Sequence, residues 1–274
     1  MKILSVGNSF SVDSQRYVID IFKADGIQIQ LGNLYIGGCS LEQHCANIQS
    51  GEPVYAYFKD NIQIGSASIL TGLRDENWDI VTLQQASHLS GMPETYYPYI
   101  ETLAAYVRQN CPQAKIYINE TWAYEYDSTH HAFINYNSDR FEMHERLSKA
   151  YAQARERINA GFIPVGEAVS IARGNDEFCP EKGGLPLTRD GFHLSYVLGR
   201  YLAGAVWYET LTGKSILENS FIPAAQQYLG TDPVTHNLLY GDIPNTQASA
   251  QQLKLLKDAC HQACMRCAVR CGKE

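Results

Sequence analysis

The feature that most constrains this chain sits at its start. Lys2-Ile-Leu-Ser-Val6 is a short aliphatic run that stops abruptly at Gly7-Asn8-Ser9-Phe10-Ser11. Such a run, bounded by a turn signal, reads as a buried strand, and glycine at its end permits a tight turn into the next element. From Ser11 to Asp25 the apolar residues Val12, Val18, Ile19 and Phe22 recur at helical spacing, and Gly26 stands as a C-terminal stop. Ser9 therefore falls where a strand meets a helix. Its hydroxyl projects there from the C-terminal edge of a sheet, beside free helix N–H groups that can hold an oxyanion. That is a position for a nucleophile. The competing reading is that Asn8 and Ser9 only cap the helix, and partners for Ser9 elsewhere in the chain decide between the two.

Ile27 to Ile36 alternates and closes on Gly37-Gly38, a second strand followed by a helical stretch from Leu41 through Ile48. The unit is βαβ, which implies a parallel pair with a right-handed crossover. Two short runs between Val54 and Gly65 flank Lys59-Asp60-Asn61 and predict a surface hairpin, with a short helix over Ile69 to Asp75. Trp78 to Gln84 is the clearest central strand, followed by a helix over Pro93 to Asn110. Lys115 to Asn119 reads as a fourth strand, Phe141 to Asn159 as a helix, and Gly161 to Val165 as a fifth strand. Gly174 to Arg189 is irregular and leads into Asp190-Gly-Phe-His193, after which a helix runs to about Leu211. Residues 213–246 have no sustained period, and a last helix starts near Ala248. With no repeat and no linker, the expectation is one α/β domain over residues 1–274: a five-stranded parallel sheet with helices on both faces, three layers in all, and residues 214–274 as a C-terminal extension ending in a helix.

Bulk properties narrow the partners. Basic residues number 22 against 29 acidic ones, a net charge of −7 with no basic stripe, so nucleic acid is not an expected partner. No stretch reaches the length of a membrane span, and Ile3 to Val6 is too short for a signal-peptide core, so the expectation is a cytoplasmic protein without a membrane partner. In a reducing cytoplasm none of the 8 cysteines need form disulfides.

Ligands of such sheets gather at the carboxyl ends of the strands, and the polar turns of this chain fall there: Ser9, Gly37-Gly38, Gln84-Gln85, Glu120 to Tyr126, and Asp190 to His193. Ester hydrolysis by serine needs a base, an acid that orients the base, and oxyanion donors. His193 and Asp190 are the candidates: three residues apart in a turn, the carboxylate reaches one imidazole nitrogen and leaves the other facing Ser9. By itself Asp-x-x-His before an amphipathic helix is also an ordinary helix start.

Gly7-Asn8-Ser9-Phe10-Ser11, a loop glycine at Gly38 and Asp190-Gly-Phe-His193 together resemble the SGNH (GDSL-like) hydrolase superfamily. Leu83-Gln84 and Thr121-Trp122-Ala123 resemble segments of a bacterial branch of it, and the likeness covers roughly residues 1 to 215. The resemblance implies a flavodoxin-like SGNH fold, Ser9 as nucleophile, His193 as base, Asp190 as its partner, and the N–H groups of Ser9 and Gly38 as oxyanion donors. The superfamily's Gly-x-Asn-Asp block is absent after Leu83. Gln84 is the expected substitute for its asparagine, with Gln85 the alternative, because a glutamine amide can donate in the same way.

Tyr96, Tyr97, Tyr99, Trp122, Tyr124, Tyr126 and Tyr136 lie on or near the loops after strands three and four, where rings can stack on sugar faces or simply cover the core edge. Trp122 is the ring assigned to substrate. His130-His131 lacks a third ligand and reads as a polar loop rather than a metal site. Cys260, Cys264, Cys267 and Cys271 have metal-like spacing, but on a helix the outer two lie about 16 Å apart; they continue the stripe of Leu253 and Leu256 and read as small buried hydrophobes. The functional expectation is a serine esterase that forms an acyl-enzyme and needs no cofactor or metal. Its expected substrate is a small O-acyl, acetyl-type ester, with an acylated sugar favoured. The alternative is a catalytically weakened SGNH-fold carbohydrate-binding or interaction protein.

Overall fold

The structure is a computed structural model that describes residues 1–231 and 238–270. The chain runs β1 (Lys2–Gly7), α1 (Ser9–Gln15), α2 (Val18–Ala24), β2 (Gln30–Tyr35), α3 (Leu41–Ser50), β3 (Tyr55–Lys59), β4 (Ile62–Ala67), α4 (Ile69–Asp75) and β5 (Ile80–Leu83). It continues with α5 (Tyr99–Asn110), β6 (Lys115–Asn119), α6 (Arg140–Arg157), β7 (Gly161–Ile163), α7 (Val165–Arg173), α8 (Leu198–Thr212), β8 (Ala224–Thr231), β9 (Leu238–Gln247) and α9 (Ala250–Arg270).

The apolar opening does what a run without polar alternation must do. Ile3, Leu4 and Val6 are fully buried, because β1 lies in the middle of the sheet with helices on both faces. The strand order is β4-β3-β2-β1-β5-β6-β7, with β2, β1, β5, β6 and β7 parallel. The order reverses at β1, so the crevice at its carboxyl end is the place where such a sheet takes ligands. Helices α3, α4 and α5 pack on one another, as do α1, α2, α7 and α8, with α9 lying across α7 and α8. No helix among the described residues is long and apolar enough to cross a membrane.

The sheet has seven strands rather than the expected five. The surface hairpin is part of it: β3 pairs antiparallel with β2 from Gly32↔Lys59 to Tyr35↔Ala56, and β4 pairs with β3. The five-stranded count treats β2 as an edge, but its outer backbone groups need partners and the hairpin supplies them. Local pattern does not specify that non-local pairing.

Other boundaries differ for identifiable reasons. The first predicted helix is two, α1 and α2, meeting at Tyr17, whose φ of −110° and ψ of 5° leave the helical region. The helix predicted from Pro93 starts at Tyr99, because Pro98 cannot continue a helix from before it. The helix after His193 starts only at Leu198; Leu194 and Ser195 are held instead by a Thr188↔Leu194 bridge and a Ser195 N–H to Leu187 carbonyl bond of 2.8 Å. Helix α7 is not among the elements expected from sequence, and the stretch without a period contains the antiparallel pair β8–β9. On α9, Leu253, Leu256 and Cys260 are buried and Cys264 and Cys267 half-buried, while Cys271 lies outside the described residues.

Candidate active site

Ser9 is the first residue of α1, immediately after the Asn8 cap. The turn is too tight for a side chain at position 7, since a Cβ on Gly7 would lie 2.7 Å from Ser11 Oγ and 2.8 Å from Ser11 Cβ. Asn8 fixes the turn from both sides: its Oδ1 accepts from Phe10 N–H at 3.1 Å, and its Nδ2 donates to the Cys39 carbonyl at 3.1 Å. That second bond ties the Ser9 turn to the turn over Ile36 to Cys39, which is closed by Cys39 N–H to Ile36 carbonyl at 3.2 Å. Gly38 there has φ +66°, with nothing within 4 Å of where a Cβ would be. Among the described residues neither the Ser9 nor the Gly38 N–H makes a hydrogen bond.

The structure brings Ser9, His193 and Asp190 together. Ser9 Oγ lies 2.8 Å from His193 Nε2, and His193 Nδ1 lies 2.7 Å from Asp190 Oδ2. Asp190 Oδ1 accepts two backbone bonds, from His193 N–H at 2.7 Å and Phe192 N–H at 3.2 Å. Partial burial by itself would raise the Asp190 carboxyl. The His193 side chain and these backbone donors together outweigh it and hold the group below its ordinary range. The carboxylate fixes the Nδ1 proton on its own side and leaves the Nε2 lone pair to accept from the Ser9 hydroxyl.

Two residues expected in the site are buried beneath it. Trp122, expected to face substrate, is fully buried, stacked on Phe10 with ring centroids 4.3 Å apart, and its Nε1 donates to the Phe192 carbonyl at 2.7 Å. It is a floor beneath both the Ser9 turn and the His193 loop, as suits a large ring with one polar atom. Gln84 is buried as well, and its amide is already engaged. Nε2 donates to Asn8 Oδ1 at 2.8 Å, while Oε1 accepts from Asn119 Nδ2 at 3.0 Å. Through the Nε2 bond it orients Asn8 and so braces the Ser9 turn. Gln85 is engaged too: its Oε1 accepts from Leu41 and Ala86 N–H and its Nε2 donates to the Thr95 carbonyl.

Of the other rings, Tyr96, Tyr124 and Tyr136 are buried in the core, and Tyr126 is exposed. Beside the base stand rings that were not among those expected to face substrate: Phe192 lies 4.3 Å from His193, and His130 lies 5.0 Å from Phe192 and 4.7 Å from His131, centroid to centroid. Burial first, and the neighbouring histidines second, pull His130 below the ordinary imidazole range. Cys39, next to Gly38, is no rival nucleophile, since burial pushes its thiol up to about 12 despite the Tyr55 hydroxyl.

The family profile that matches, described as a domain of unknown function (DUF4886), covers residues 2–231. A crystal structure of a DUF4886 family protein from Bacteroides uniformis is similar over 100% of this chain and 96% of its own, at 31% identity and a TM-score of 0.80. A candidate SGNH hydrolase from Slackia heliotrinireducens aligns with 77% of this chain and 98% of its own at 22% identity, TM-score 0.51. A lipase/acylhydrolase from Enterococcus faecalis aligns with 77% of this chain and 95% of its own at 16% identity, TM-score 0.51. These two share the fold. No curated protein matches.

Proposed function

The chain belongs to the DUF4886 family, and from that premise we propose that it is a serine hydrolase of the SGNH type that cleaves small O-acyl esters through an acyl-enzyme. One observation carries the reading: Ser9, His193 and Asp190 form an unbroken hydrogen-bonded line of 2.8 Å and 2.7 Å at the carboxyl end of the central strand. Ser9 Oγ attacks the ester carbonyl as His193 Nε2 takes its proton, and Asp190 stabilises the imidazolium. The free N–H groups of Ser9 and Gly38 receive the tetrahedral oxyanion, each such donor being worth about 2.7–4 kcal/mol in related sites. His193 then protonates the leaving alcohol and activates the water that releases the acid.

For the leaving group, the rings of Phe192 and His130 beside His193 favour an alcohol with a flat apolar face, and an acetylated sugar meets that description. The rival reading, a weakened SGNH-fold binding protein, draws on Gln84, whose engaged amide leaves two backbone donors without a side-chain third. The test is direct. Wild type reacts with a fluorophosphonate probe and hydrolyses p-nitrophenyl acetate, and Ser9→Ala does neither; equal rates for the two proteins refute the hydrolase and favour the rival.

A further inference from the structure

The loop that carries Asp190 and His193 is held largely by two buried carboxylates on other elements. Asp13, one helical turn beyond Ser9 on α1, is 1% exposed. It accepts from Leu194 N–H at 2.9 Å, from Arg189 Nη1 at 3.0 and 3.1 Å, and from Arg200 Nε at 2.8 Å and Nη2 at 2.7 Å. Arg189 also donates to the Leu194 carbonyl, so one guanidinium spans the neck of the loop. On the other side Glu125, 2% exposed, lies 3.3 Å from Arg140 and 2.9 Å from Arg173. It accepts from the Thr188 hydroxyl at 3.4 Å, and its own N–H donates to the Gly191 carbonyl at 2.7 Å.

We propose that Asp13 and Glu125 are positioning residues that suspend the 188–194 loop between them and set the distance from His193 to Ser9; the proposal rests on the hydrolase reading of that site. Asp13 matters most because it shares α1 with Ser9. The carboxylate that anchors Leu194 N–H and Arg189 therefore moves with the nucleophile, and the separation of the two reacting groups is fixed through one short rigid helix. Stability alone is a poor reason for this construction. Well-packed apolar residues often serve as well as a buried ion pair, whereas a planar guanidinium on a carboxylate fixes direction as well as distance. Near-attack geometry is sensitive at that scale, since misplacement by about 1 Å can cost on the order of 10²-fold in rate.

The test uses the full chain and substitutes Arg189, because Arg200 then remains on Asp13 and the buried carboxylate is not stranded. Arg189→Met lowers kcat for p-nitrophenyl acetate by at least about tenfold with KM within about twofold. Amide exchange within 187–197 rises while that of β1 and β5 stays at the wild-type rate. Arg189→Lys recovers part of the loss, because it restores the charge without the planar, delocalised group whose Nη1 meets both Asp13 oxygens and the Leu194 carbonyl. Lys182→Met, which breaks only the exposed pair with Asp176, leaves both readouts unchanged. An active wild type with an Arg189→Met variant of unchanged kcat and unchanged exchange overturns the positioning role and leaves the hydrolase reading standing. A wild type inert to substrate and probe overturns the hydrolase reading. Exchange then decides the tether alone: a local rise supports it, and an unchanged rate overturns it.

Discussion

Replacing Asp190 by asparagine is the sharpest test of how His193 is prepared. Asp190 Oδ1 is held by the Phe192 and His193 N–H groups, and Oδ2 faces His193 Nδ1 at 2.7 Å. In Asp190→Asn the backbone donors keep the amide oxygen at the Oδ1 position, which puts the NH2 group against Nδ1. Two donors cannot face each other, so the imidazole takes the tautomer with its proton on Nε2, and that nitrogen no longer accepts from Ser9 Oγ. Loss of a hydrogen bond to a charged group is worth about 1.5–3 kcal/mol, roughly 10- to 100-fold in rate. Locking the wrong tautomer extends the loss toward about 10⁴-fold at a buried triad. The Asp190 side chain is 40% exposed, which moderates the effect, and the expected fall in kcat is on the order of 10²- to 10³-fold. Asp190→Ala admits water at Nδ1 and imposes no tautomer, so it loses less. The assay is steady-state hydrolysis of p-nitrophenyl acetate by both variants, with circular dichroism to confirm folding. An Asn variant that keeps more than about a third of wild-type kcat, or an Ala variant slower than the Asn variant, refutes the argument.

Three further outcomes are expected. Gln84→Leu breaks the bonds to Asn8 and Asn119 and leaves buried polar atoms unmet; urea unfolding should report a loss of about 2–5 kcal/mol, with a fall in kcat as Asn8 loosens the Ser9 turn. At Gly38 there is space for a side chain but φ is +66°, so the cost of substitution is conformational, about 1–2 kcal/mol for an ordinary residue; Gly38→Ala should lower kcat more than Gly38→Asn, and the reverse order in the acetate assay would deny that the turn's geometry matters. Glu120 is fully buried, and burial raises its carboxyl to about 7 against the opposing pull of His144, the Glu167 N–H and the Ser148 hydroxyl. Its folded-state value lies above its unfolded one, so stability declines as pH rises from about 4.5 to about 7, by about 3 kcal/mol in all. Melting curves of wild type and Glu120→Gln should therefore diverge across that window, the variant gaining relative stability as pH rises, and parallel pH profiles would exclude the effect.

The sequence by itself determined the parallel centre of the fold and the position of Ser9. The aliphatic run of β1, broken only by the small Ser5, is buried on both faces, and Gly7 allows the turn into α1, so both are legible in local pattern. The Asp190–His193 pairing was equally local, since three residues of turn bring a carboxylate to an imidazole. What the sequence could not specify was everything that depends on a partner far along the chain. The hairpin joins the sheet because β2 has an open edge, which no residue in the hairpin announces. Gln84 and Trp122 have the right chemistry for an oxyanion donor and a substrate platform, but the Asn8 side chain and the Phe10 ring claim them first. Asp13 reads in sequence as an unremarked acid on a short helix; only when the fold carries Arg189, Leu194 and Arg200 across some 180 residues does it become the link between nucleophile and base. Backbone periodicity and turn chemistry are set by neighbours in sequence, whereas the atom to which a side-chain donor or acceptor is committed is set by neighbours in space, and that only the tertiary structure decides.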